Sequence, residues 1–126
     1  MAFSDLTLAD ADGTNQSFVV QQRFAGGVDF IESDATVDST RKIAVRHSNA
    51  APSVLKGARP ARRHLAQFTQ EDYNATLGKT EKTTLNVTLV VDPGASITED
   101  ELFHLRAFLV NFLTEANVSK LLRDEA

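Results

Sequence analysis

The chain has 126 residues, 42% of them hydrophobic and 24% charged, with 13 Lys and Arg against 17 Asp and Glu and a formal net charge of −4. This length supports one domain, 1–126, with a core large enough to need no staples. The absence of cysteine excludes disulfides, thiolate metal sites and cysteine catalysis. No apolar run approaches a transmembrane span, and "MAFSDLTLADADG" lacks the basic and apolar regions of a signal peptide, so no membrane partner is expected.

In chain order, "SDLTLADADGTNQSFVVQQ" (4–22) predicts a hairpin. Leu6 and Leu8 alternate with polar residues, Phe18 and Val20 do so on the return, and Asp12-Gly13 suits the turn. The turn superficially resembles a calcium loop, but Asn15 and Gln21 stand where that loop needs Gly and Glu, so no metal is expected. "FAGGVDFIES" (24–33) predicts a short strand after a glycine pair, and "DATVDST" a polar connector.

The next strand, about 40–49, contains "RKIAVRHS". Ile43, Val45 and His47 fall on one face, and Lys42, Ala44, Arg46 and Ser48 on the other. "AAPSVLKGARPA" (50–61) predicts a loop. "RRHLAQFTQ" (62–70) predicts a strand with His64, Ala66 and Phe68 on one face and Arg63, Leu65, Gln67 and Thr69 on the other. "EDYNATLGKTEK" (71–82) reads as a second exposed loop. "TTLNVTLVV" (83–91) is a strand with Leu85, Val87, Leu89 and Val91 inward and Thr84, Asn86 and Thr88 outward.

A helix follows. Thr98 and Glu101 have the spacing of a capping box, and Glu99 and Asp100 complement the N-terminal dipole. In "LFHLRAFLVNFL" (102–113) nine of twelve residues are apolar, leaving a narrow polar stripe of Asp100, His104, Asn111 and Glu115. So little polar surface predicts burial on two sides, against its own sheet and against a second subunit, with Leu102, Leu105, Phe108, Leu109 and Phe112 as the dimer-contact residues. "VSKLLRDE" predicts a last helix packed through Val118, Leu121 and Leu122. About six strands then two helices, without βαβ alternation, give an α+β fold: an N-terminal hairpin, an antiparallel sheet and two C-terminal helices on one face.

Catalytic chemistry is poorly supplied. The three histidines are scattered, the acid pairs sit in a loop and at a helix start, and no nucleophile or phosphate-loop motif occurs. His47 and His64, on inward faces, read as hydrogen-bonded packing residues. The charge pattern is more informative. Residues 39–70 hold seven of the 13 Lys and Arg residues and no carboxylate side chain. Such segregation suits an anionic partner, although charge that protects a solvated strand edge would look similar. A sheet face with cations and small polar groups suits RNA, and Asn86 can donate and accept at a base edge. Aromatic platforms of the generic single-strand binders are missing from the predicted faces.

Over almost its whole length the chain resembles the coat proteins of single-stranded RNA bacteriophages, the levivirus-like family. The resemblance rests on "FAGGV" before the third strand, "VRHS" ending the fourth, "TLNVTLVV" as the last strand and the "TEDE" helix start, in that order and spacing. It implies an intertwined dimer with a continuous ten-stranded sheet, assembly into an icosahedral capsid, and genomic RNA, including a packaging and operator hairpin, bound on the inner sheet face. It further implies a virion location with assembly in the bacterial host cytoplasm, no enzymatic activity, no cofactor, and room for a maturation protein as a partner.

Arg46 matches the family's RNA-contacting basic residue and Asn86 its polar reader, flanked by Thr84 and Thr88; Lys42, Ser48, Arg63 and Gln67 complete the implied RNA-binding set. Lys42 and Ala44 stand where relatives often carry the small hydroxyl residues of an adenine pocket, which implies a different hairpin or weaker base specificity. The cysteine pair that some relatives carry before the last strand is absent. A non-viral dimeric RNA-binding domain and a small α+β enzyme remain the alternative readings.

Overall fold

The computed structural model describes residues 3–49, 61–92 and 96–123. The chain divides into two compact units, residues 1–93 and 94–126.

The first unit is an antiparallel meander. Its strands are β1 (Leu6–Ala9), β2 (Asn15–Phe24), β3 (Gly27–Glu32), β4 (Ser39–Asn49), β5 (Arg62–Asn74) and β6 (Lys79–Val91), each paired with the next in one six-stranded sheet. The N-terminal hairpin closes as predicted, with Gly13 at φ +81°. Asp10 fastens the turn: one carboxylate oxygen accepts from the Asp12 N–H (3.0 Å) and the Thr14 N–H (2.9 Å), and the other from Gln16 Nε2 (3.2 Å). The backbone bond from Thr14 and the side-chain bond from Gln16 hold the Asp10 carboxyl below its ordinary value. A continuous ten-stranded dimer sheet takes five strands from each copy. Here six share one sheet, and β1, at its edge, pairs only with β2.

Alternation sorts the side chains as the sequence predicts. Phe18, Val28, Phe30 and Ile43 are buried on one face, with Leu6, Val20 and Val45 packed against them. Phe30 is fully enclosed and meets Phe3 edge-on, the ring centroids 6.4 Å apart; burying such a ring contributes about 1.5–3 kcal/mol. The same face continues across β5 and β6 through Phe68, Leu85 and Leu89, which are 38–56% exposed. Two apolar hollows of about 220 and 350 Å³ lie along it.

His47 and His64 are cross-strand neighbours on this face, Nδ1 to Nδ1 at 2.8 Å. One nitrogen donates and the other accepts, so the hydrogen-bonded role holds with each histidine as the other's partner. His47, however, is exposed rather than inward-buried.

One predicted element is wrong. Residues 71–82 are not a loop. β5 runs on to Asn74 and β6 begins at Lys79, joined by the turn 75–78 with Gly78 at φ +63°. Polar side-chain contacts, within β5 and across strands, replace hydrophobic ones there. Ser39 Oγ donates to Asp72 (2.8 Å), Gln70 Nε2 donates to its other oxygen (2.8 Å), and Asn74 Nδ2 donates to Glu81 (3.0 Å). Apolar periodicity cannot detect a strand extension with two polar faces. The predicted loop 50–61 lies outside the described residues except for Ala61.

The second unit holds helices α1 (Glu99–Phe112) and α2 (Glu115–Leu122). The capping box forms: Thr98 Oγ1 accepts from the Glu101 N–H, and Glu101 accepts from the Thr98 N–H at 2.8 Å. Thr114 caps α2, which therefore starts three residues earlier than predicted, and Asn117 Nδ2 donates to the Phe112 carbonyl at 2.7 Å. Neither helix has a buried residue. Phe103, Leu105, Phe108, Val110 and Phe112 on α1, and Leu121 and Leu122 on α2, are all more than half exposed. No helix among the described residues is long and apolar enough to cross a membrane.

Candidate nucleic-acid interface

The polar face of β3 to β6 is set by register. Lys42 pairs with Thr69 and Thr84, Ala44 with Gln67 and Asn86, Arg46 with Leu65 and Thr88, and Ser48 with Arg63 and Val90. The eight residues singled out in the sequence, Lys42, Arg46, Ser48, Arg63, Gln67, Thr84, Asn86 and Thr88, therefore lie on one surface of three adjacent strands, with neighbouring strands about 4.8 Å apart. The predicted register of residues 62–70 is correct. Arg63 Nε donates to Ser48 Oγ at 3.3 Å, which ties the two together at one end of the grid.

Four neighbours on this surface were not found in the sequence. Asp29 pairs with Ala44, and its carboxylate lies 2.6 Å from Arg46 Nη2. Glu71 lies 3.6 Å from Lys42 Nζ, and Lys82 is its register partner on β6. Phe24 pairs with Gly27 beside Arg46, and the guanidinium carbon stands 4.4 Å above its ring. An aromatic side chain is thus present on this face, contrary to the sequence reading, but it is already capped by Arg46.

The carboxylate-free window of the sequence is also not carboxylate-free in space, because β3 and the extension of β5 bring acids in from outside it. Asp29 alternates with Val28 and Phe30, so its polar-face placement was legible; its proximity to Arg46 needed the β3–β4 register. Lys42, Arg46, Arg63 and Lys82 against Asp29 and Glu71 leave the described face with four cations and two carboxylates, a net +2 on a chain of net −4.

Arg46 is the most constrained of these cations. Nη1 donates to the Val45 carbonyl at 3.0 Å and approaches that of Val28 at 3.4 Å, while Nη2 faces Asp29. Gly27 permits this arrangement: a Cβ there would lie 2.0 Å from the Val45 carbonyl oxygen, so only glycine lets β3 close against β4 beside Arg46. Between Lys42, Ala44, Gln67 and Thr69 the face dips into a polar hollow of about 250 Å³, edged by Asp29, Glu71 and Lys82. This is smaller than most drug-sized pockets and suits a single planar polar group. Cations for phosphates, amides for base edges and one hollow are the parts that single-stranded or looped RNA requires.

No protein-family model matches the chain, and no curated protein matches its sequence. Solved structures do match. The virus-like particle of bacteriophage AVE019 superposes with a TM-score of 0.67 at 13% identity, covering 96% of this chain and 94% of that one. The virus-like particle of Beihai levi-like virus 21 gives 0.63 at 14% identity, with 98% and 95% covered. An unassembled virus coat protein dimer, a bacteriophage RNA-binding dimer, gives 0.57 at 9% identity, with 98% and 95% covered. The antiparallel meander followed by two helices, matched over nearly the full length of each of these chains, is the fold of the RNA-bacteriophage coat proteins.

Proposed function

We propose that this protein is the major capsid protein of an RNA bacteriophage, one domain in function across its two units. It dimerises, self-assembles into an icosahedral shell and binds viral single-stranded RNA on the polar face of its sheet. The observation that carries this reading is the grid of Lys42, Arg46, Arg63, Gln67, Thr84, Asn86 and Thr88 on one face of a fold shared with phage coat proteins. Arg46, Lys42 and Arg63 neutralise phosphates, and Asn86 and Gln67 hydrogen-bond base edges. A second copy aligned along β6, the edge strand nearest this face, doubles it. Leu102, Leu105, Phe108, Leu109 and Phe112 of α1 bury against that copy. The role is structural rather than enzymatic, the place of action is the virion, and assembly proceeds in the host cytoplasm.

Expression of the chain alone in bacteria tests the reading. Electron microscopy should show closed particles, nuclease-protected RNA should co-purify with them, and reductant should not affect them because there is no cysteine to respond. Dimers that bind RNA without forming particles would select the non-viral RNA-binding alternative. A folded monomer without particles or RNA would refute the proposal.

A further inference from the structure

The two central cations of the polar face are both paired with acids, Arg46 with Asp29 and Lys42 with Glu71. A face that served only to attract phosphate would be stronger without them. The Arg46 pair is the closer, and its geometry is unusual. Asp29 Oδ1 is shielded from solvent, lies 2.6 Å from Nη2, and has no well-aligned hydrogen-bond donor. The contact is therefore ionic rather than a directed N–H bond. Meanwhile Nη1 is held by the Val45 carbonyl and the flat of the guanidinium by the Phe24 ring. Arg46 is thus held along one edge and one face, and its Nη2 edge is turned to Asp29.

We propose that Asp29 is a specificity-determining residue, a built-in competitor that occupies the Nη2 edge of Arg46 until an RNA phosphate displaces it. This rests on the RNA-binding reading above and deepens it. The exchange has a direct consequence for selectivity. An RNA that touches the face only through scattered phosphates must separate an existing ion pair for one new one, so it gains little at Arg46. An RNA that also engages Gln67 and Asn86 gains contacts that have no internal competitor among the described residues, and these carry the complex. Asp29 therefore lowers affinity for every RNA that reaches Arg46 by a similar factor, which takes generic RNA below its binding concentration while a folded hairpin that fits the face, with its added contacts at Gln67 and Asn86, stays bound. Arg46 keeps its place throughout, because Phe24 and the Val45 carbonyl hold it whether the third partner is a carboxylate or a phosphate.

The test is filter binding of generic single-stranded RNA and of a hairpin selected from a random pool, at several salt concentrations. It compares wild type, Asp29→Asn, Arg46→Ala, the double variant and Glu32→Gln. Glu32 pairs with Arg41 at 3.3 Å on the opposite face, so its neutralisation makes the same change in net charge away from the site. Asp29→Asn should raise affinity for generic RNA about three- to tenfold at low salt. The selected hairpin should gain by a similar factor, so generic RNA binds at concentrations where only the hairpin bound before. Both effects should vanish on the Arg46→Ala background and be absent in Glu32→Gln, and Asp29→Ser should repeat them with a smaller side chain.

If Asp29→Asn and Asp29→Ser bind RNA no better than wild type, or if their gain persists without Arg46, the competitor role is overturned while RNA binding by this face stands. If no variant, wild type included, binds RNA, both readings fall together.

Discussion

Gly27→Ala perturbs the sheet and its polar face with one methyl group. Gly27 pairs with Arg46 across β3 and β4, and an added Cβ would sit 2.0 Å from the Val45 carbonyl oxygen, 3.0 Å from its carbon and 3.3 Å from the Arg46 Cα. These are backbone atoms, which cannot swing aside as a side-chain tip can. Real Cβ contacts do not fall below 3.0 Å, so the strands must part by about 1 Å. Overpacking of this kind costs about 1–3 kcal/mol, and weakening one or two ladder hydrogen bonds adds about 1 kcal/mol each. The expected loss is about 2–5 kcal/mol.

Two other glycines calibrate this value. Gly26→Ala meets only one atom, at 3.4 Å, and should be within about 0.5 kcal/mol of wild type. Gly13→Ala has open space but φ +81°, so it should lose about 1–2 kcal/mol from backbone strain alone. Urea unfolding at one fixed protein concentration, followed by circular dichroism, reads the midpoints; the concentration must be held because a dimer's stability depends on it. Parting β3 from β4 also moves Arg46 away from Asp29, so RNA affinity should change in Gly27→Ala and not in Gly13→Ala. If Gly27→Ala proved as mild as Gly26→Ala, the close approach of the two strands would be refuted.

Arg46→Ala should weaken binding of all RNAs and flatten the log–log salt slope by about 0.7–0.9, whereas Asn86→Ala should reduce discrimination between selected and scrambled hairpins by about 1–3 kcal/mol with little change in slope; filter binding separates the two. Leu109→Asp should abolish soluble dimer, since α1 carries an apolar surface with no buried residue and a charge there is incompatible with an apolar interface; a stable folded monomer in analytical ultracentrifugation, wild type or variant, would contradict it. The Asp72 carboxyl is held below its ordinary value first by the Ser39 hydroxyl, then by Gln70, with Arg41 assisting against partial burial. Its contribution to stability is therefore complete above the ordinary carboxylate range and is lost as pH falls through the lowered folded value. Asp72→Asn should be less stable than wild type at neutral pH and show a smaller loss on acidification, measured as midpoint against pH.

The sequence by itself determined which residues belong to which face of each strand. Alternation in "RKIAVRHS" and "TLNVTLVV" depends only on the two-residue period of an extended chain, so Ile43 and Leu85 on one side and Lys42, Arg46 and Asn86 on the other followed directly. The capping box at Thr98 and Glu101 was equally legible, because its hydrogen bonds close within a single turn of chain. Only the tertiary structure decided what stands beside each of those residues. Asp29 and Arg46 are 17 positions apart, and nothing local indicates that β3 and β4 pair in the register that brings them to 2.6 Å. The polar hairpin 71–82 was missed for the same kind of reason: its strands are held by cross-strand hydrogen bonds between side chains distant in sequence, which leave no apolar period to detect. Thus Lys42, Arg46 and Arg63 could be read from one strand at a time, whereas Lys82 and the carboxylates that restrain the face became visible only once neighbouring strands were in place, because Coulomb interaction depends on separation in space and not along the chain.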